Sequence, residues 1–176
     1  MKTLILIFYP LLSQTQINNR FADSVELHPK TTVRRLYDIY NHGTIDVLKE
    51  RTLLEQADRI IFQFPLQWYS SPSLLVEWQE EVFTFNWVFG SKDKRLNGKE
   101  LLLIVTNDQD KNHCECKIEE LLLPFQALAK DLGLTYLEPI VFKEQLMNNR
   151  QDLDELVTSY IDKALDKQNM KERING

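Results

Sequence analysis

The sequence predicts an α/β fold, a doubly wound sandwich in which a five-stranded parallel sheet carries helices on both faces. Three observations carry this. Short apolar runs of strand length alternate with longer stretches of helical periodicity along the chain. The strand candidates are nearly continuous in apolar residues, as strands covered on both faces by crossover helices must be. The 176 residues, 43% hydrophobic and 27% charged, are enough for one core and show no repeat, linker or composition shift that would divide it. Residues 1–176 are therefore read as one domain, with 167–176 a frayed polar tail.

Residues 4–8, Leu-Ile-Leu-Ile-Phe, form the first strand. Five residues are too few for a signal-peptide core or a membrane span, and Pro10 follows at once. Residues 15–25 form the first helix, with Ile17, Phe21, Ala22 and Val25 at helical spacing. Residues 31–37 are rich in β-formers and give the second strand. Asp46 caps a helix that runs to about Ala57 through Val47, Leu48, Leu53 and Leu54. Residues 60–64 are the third strand, ended by Pro65. Pro72 suits the first turn of a helix whose Leu74, Leu75, Trp78, Val82 and Phe83 share a broad face. Residues 101–105 are the fourth strand. Residues 118–132 are the next helix, with Pro124 delaying or kinking its start and Gly133 just past its end. Residues 134–142 give the fifth strand, with Pro139 near an end or an edge, and residues 153–165 the last helix.

Composition narrows the function. The net charge is -5 and no basic stripe is present, which argues against nucleic acid or anionic lipid as a partner. The five glycines, Gly43, Gly90, Gly98, Gly133 and Gly176, never fall within one turn of each other. This excludes the glycine-rich nucleotide loops, which pack several glycines beside a phosphate. Cys114 and Cys116 are too close to staple distant elements, and with no export signal a reducing cytoplasm is expected. His113 clusters with them, but structural zinc needs a distant second pair, so no metal is predicted. His28 and His42 read as solvated, and no Ser-His-Asp or Cys-His dyad can be placed.

In a doubly wound fold, ligands bind beyond the carboxyl ends of the strands, where the strand order reverses. Three loops qualify: residues 9–16, 65–71 and 106–116. The middle one sets Leu66, Gln67, Trp68, Tyr69, Ser70 and Ser71 between Pro65 and Pro72. A stiff loop with two large rings suits a flat conjugated ligand; the competing reading is that both rings close the core. The first loop is polar, and Ser13 or Thr15 is either an ordinary cap or part of an anion site at the helix N-terminus. The run 82–89 holds more aromatics than one helix end can bury. A partner subunit is the expected cover, with the chain's own core as the alternative.

These residues carry a resemblance. Pro65-Leu66-Gln67-Trp68-Tyr69-Ser70-Ser71-Pro72, then Leu74-Leu75, Trp78, Val82-Phe83 and Trp87-Val88-Phe89-Gly90, resemble the flavodoxin-like NAD(P)H:quinone oxidoreductases, in particular the bacterial general-stress and potassium-efflux ancillary proteins. Arg35 to Tyr40 and Leu96-Asn97-Gly98-Lys99 fit the same pattern. The resemblance implies a flavodoxin-like homodimer that binds FMN or FAD, FMN favoured. It implies two-electron hydride transfer from NAD(P)H through the flavin to a quinone. It places Thr15 and Asn18 at the flavin phosphate, and Pro65, Leu66, Gln67, Trp68 and Tyr69 along the ring. Thr106 and Asn107 follow in the loop after the fourth strand, and Trp87 and Phe89 cover the ring across the dimer interface. Tyr9-Pro10 stands where the family has His-Pro, and Asp108 and Gln109 stand where it has two glycines. A side chain at those glycine positions obstructs the ring, and a carboxylate there opposes a reduced, anionic flavin. The alternative is thus a non-catalytic member with a degenerate pocket that acts as a binding or regulatory subunit.

Overall fold

The sheet is parallel and begins with β1 (Thr3–Ile7), whose five residues are all buried. The structure, a computed structural model, describes residues 1–9, 16–26, 28–41, 43–90, 94–107, 117–143 and 150–165. After β1 come α1 (Gln16–Glu26), β2 (Thr31–Arg35), α2 (Leu36–Ile39), α3 (Val47–Gln56), β3 (Arg59–Leu66), α4 (Ser73–Val82) and α5 (Phe85–Phe89). Then follow β4 (Glu100–Asn107), α6 (Ile118–Leu121), α7 (Leu123–Leu132), β5 (Thr135–Tyr136), β6 (Ile140–Lys143) and α8 (Arg150–Leu165). The strand order is β2-β1-β3-β4-β5, with β6 also paired to β4.

Side chains alternate between the two faces of each strand, and two cores result. One face holds Ile5, Ile7, Ile61, Leu102 and Ile104, covered by Phe21 and Val25 of α1 and Tyr160 and Ala164 of α8. The other holds Leu4, Leu6, Phe62, Phe64, Leu103 and Val105, covered by Leu54 of α3, Leu75 and Trp78 of α4, and Phe125 and Ala129 of α7. Trp78 is fully buried, with Phe8 and Phe62 edge-on to it at 5.8 and 5.7 Å.

The elements sit close to their predicted places. Asp46 caps α3 as expected, its carboxylate accepting from the Lys49 N–H at 3.0 Å. Gly133 ends α7 in the left-handed region at φ 76, where an added Cβ would meet Lys94 Cδ at 2.9 Å. Four expectations are corrected. The second strand stops at Arg35 and Tyr37 lies in α2, because Arg35 already pairs with Ile7, the last residue of β1. Pro124 divides the predicted long helix into α6 and α7, lying at the start of the second. The fifth strand is two short pieces, since Pro139 has no N–H to continue the ladder between Tyr136 and Ile140. Pro65 does not end β3; it stays in register opposite Thr106. The Gln63 carbonyl faces β1 and accepts from Phe8 N at 2.8 Å. Backbone groups two residues on face the same way, so the missing N–H of Pro65 falls on the side where β1 has already ended.

Candidate functional site at the carboxyl edge

The chain leaves β1 toward β2 on one side and places β3 on the other, so the order reverses between β1 and β3. The carboxyl ends of these strands and of β4 bring together Tyr9, the segment 65–71, and Asn107.

The segment after β3 is a tight turn. Gln67 N donates to Ser70 O at 3.1 Å, and Ser70 N donates to Gln67 O at 3.0 Å. The two residues between, Trp68 and Tyr69, both have positive φ, 50 and 63. This is the mirror-image hairpin turn, which ordinarily takes Asn-Gly. A bulky side chain in the left-handed region costs about 1 kcal/mol or more. Pro65 on one side and Pro72, the N-cap of α4, on the other hold the turn at both ends. The turn points its rings outward: Trp68 is 89% exposed and Tyr69 39%. The reading that these rings close the core is thereby overturned. Strain and a solvated indole together mark a surface shaped for something other than folding.

Tyr9 and Thr106 lie beneath this rim. Both are buried, and their hydroxyls meet at 2.8 Å. On the same face, Tyr160 OH donates to Gln63 Oε1 at 2.8 Å, while Gln63 Nε2 is buried without a partner. Burial pushes the Tyr160 phenol upward, so it stays a neutral donor.

The predicted residues thus divide. Gln67, Trp68 and Tyr69 are exposed at the rim and Asn107 is half-buried beside them. Pro65, Leu66 and Thr106 are buried strand residues below it. Asn18 lies in the first turn of α1, the helix that follows β1. Thr15 lies outside the described residues, as do Asp108, Gln109, His113, Cys114, Cys116 and His42. The aromatic run also splits. Trp87 is buried in its own chain, stacked on Phe83 at 5.9 Å with the Arg51 guanidinium over it at 5.2 Å. Arg51 is fixed there by the Val82 carbonyl and the Thr84 hydroxyl, each at 2.9 Å. Phe85 and Phe89 are 75% and 49% exposed, with ring centroids 5.0 Å apart. The predicted site omitted Gln63, and Tyr9 entered it only as the first residue of the loop 9–16. A glutamine inside the apolar run 60–64 was the available signal, since it needs a buried partner.

The residues at this edge suit a flat heteroaromatic ring. They offer two aromatic side chains and the amide groups of Gln67 and Asn107. No group of three or more metal-ligating side chains occurs among the described residues.

The model of a family described as having a flavodoxin-like fold matches residues 1–164. General stress protein 14 of Bacillus subtilis (strain 168) is 44% identical over 148 residues, 81% of this chain and 85% of that protein. The structure of a general stress protein 14 from Treponema denticola in complex with FMN superposes with a TM-score of 0.83 at 33% identity, covering 92% of this chain and 96% of that one. An NADPH-quinone reductase from P. pentosaceus superposes with a TM-score of 0.80 at 30% identity, covering 93% and 98%.

Proposed function

Because the chain belongs to the flavodoxin-like fold family, we propose that it is a flavin-dependent NAD(P)H:quinone oxidoreductase that holds FMN at the carboxyl edge of its sheet. The observation that carries this reading is the strained turn that presents Trp68 and Tyr69 to solvent at the switch point. The solved relative in complex with FMN and the relative titled NADPH-quinone reductase support it. When bound, the flavin supplies two-electron hydride chemistry between a nicotinamide and a quinone. The protein's part is to bind and orient. Trp68 and Tyr69 flank the ring, Gln67 and Asn107 supply polar contacts at its edge, and Thr15 and Asn18 serve its phosphate at the start of α1.

The same reading makes the protein a cytoplasmic homodimer. Phe85 and Phe89 form an apolar pair that a second copy would cover. Phe85→Asp with Phe89→Asp should shift the protein to monomer in sedimentation velocity. Among the described residues, no helix is long and apolar enough to cross a membrane.

The test is direct. Protein incubated with FMN should be yellow after desalting and should oxidise NADH or NADPH in the presence of a quinone. A colourless, inactive sample would contradict the proposal. A second reading has one specific support: Asp108 and Gln109 stand where the resembled family has glycines. It predicts the same fold without stoichiometric flavin, and Asp108→Gly with Gln109→Gly should then restore binding.

A further inference from the structure

We propose that Tyr9 is a positioning residue of this site: its phenol latches the base of the loop after β1 to the base of the loop after β4. The inference rests on the reading that the carboxyl edge holds FMN.

The latch spans a gap that backbone bonding leaves open. In the sheet, β3 lies between β1 and β4. The β1–β3 register ends at Ile7 opposite Gln63, and Phe8 N to the Gln63 carbonyl follows it. Two residues further on, Pro65 has no N–H to offer on that side. Above this level β3 and β4 continue in register to Leu66 and Asn107, and β4 and β6 to Asn107 and Lys143. At the level of Pro65 the hydroxyl bond at 2.8 Å from Tyr9 to Thr106 crosses the intervening strand and ties the end of β1 to β4. The two residues are 97 positions apart, so the bond closes the site between remote parts of the chain.

The choice of side chains also points to placement rather than to stability. Around the pair this face is mostly apolar, built of Ile5, Ile7, Ile61, Ile104, Phe21 and Phe142, with the Tyr160–Gln63 bond as a second buried polar contact. A Phe–Val pair would pack there without giving up hydration. A buried hydroxyl pair loses water on both partners and in return accepts one arrangement only. The bond joins the Tyr9 phenol to Thr106 Oγ1, and either hydroxyl can be the donor. Thr106 is 1% exposed, and its hydroxyl bonds the Tyr9 phenol. It therefore acts on the site through the strand end it holds, opposite Pro65 and two residues before the turn that Gln67 and Ser70 close.

The experiment is FMN titration of the full chain and of Tyr9→Phe, Thr106→Val, Thr106→Ser and the Tyr9→Phe/Thr106→Val pair, with apoprotein unfolding measured in parallel. Each loss of a hydroxyl should weaken FMN about tenfold, the net worth of one buried hydrogen bond. The pair should be no weaker than Tyr9→Phe alone, because Thr106→Val then removes only a bond that Tyr9→Phe has already broken. Thr106→Ser should bind as the parent does. Three results would overturn the latch while leaving the flavin site standing. The parent binds FMN and both single variants match it; or the losses multiply in the pair; or apoprotein stability falls while FMN affinity holds. Failure of the parent to bind FMN would instead remove the site reading, and the latch with it.

Discussion

The two ends of the sheet are built on different terms. At the amino end, charges are paired and chain ends are stapled. Arg59, 1% exposed at the start of β3, donates through Nε to Glu100 Oε2 and through Nη1 to the Ala164 carbonyl, both at 2.8 Å. One side chain thus joins β3, β4 and the last turn of α8, where a cation also complements the helix C-terminus. Lys99 Nζ donates to the Glu55 carbonyl at 2.7 Å, at the end of α3, and Lys2 N donates to Asp58 Oδ2 at 2.6 Å. At the carboxyl end the chain holds two bulky residues at positive φ and leaves an indole 89% exposed. Folding is served at one edge; the other carries strain that only a ligand or partner can reward. The contrast supports the placement of the proposed site at the carboxyl edge.

The largest expected effect lies at the stapled edge. Arg59→Ala strands the Ala164 carbonyl and leaves Glu100 without its partner, and should cost about 3 kcal/mol in chemical denaturation. FMN affinity should not change, since the lesion is at the far end of the sheet. Loss of flavin with retained stability would erase the distinction between the edges.

The next effect has the opposite sign. Trp68→Asn with Tyr69→Gly installs the residues that the turn geometry prefers. It should stabilise the apoprotein by about 1–2 kcal/mol and weaken FMN. A destabilised variant would mean that the two rings contribute to the fold after all.

The smallest effect is a pH response away from both edges. Tyr40 donates to Glu50 Oε1 at 2.6 Å, and Glu50 also pairs with Arg34. Burial first, then the Glu50 carboxylate, push the Tyr40 phenol up to about 12 from 10.0. The folded value is the higher one, so this contribution is complete below pH 10 and is lost as pH rises toward 12. Tyr40→Phe should flatten that part of the stability curve, as followed by urea midpoints. Tyr136, raised to about 12 by burial, and Tyr160, also pushed up by burial, should supply the slope that remains.

Much of this was legible in the sequence. Apolar runs marked β1, β3 and β4, because strands buried on both faces need little else. The position of the loop 65–71 at a strand end followed from the alternation of elements alone. What escaped was what depends on register. That Pro65 stays within β3 depends on β1 ending two residues earlier, which no local pattern encodes. The same holds for β2, cut short by the length of its partner. The outward aim of Trp68 and Tyr69 follows from φ values that aromatic residues rarely adopt, so propensity pointed the other way. The Tyr9–Thr106 bond joins residues that are remote in sequence, and only the strand order brings them together.

We propose that the carboxyl edge is strained because it holds a flavin. The most direct measurement is FMN titration, by the visible spectrum and by quenching of tryptophan emission, of the full chain beside its Trp68→Asn/Tyr69→Gly variant. The parent should bind saturably and one-to-one, and the variant more weakly while being more stable as apoprotein. Equal binding by the two proteins, or none by the parent, would contradict it.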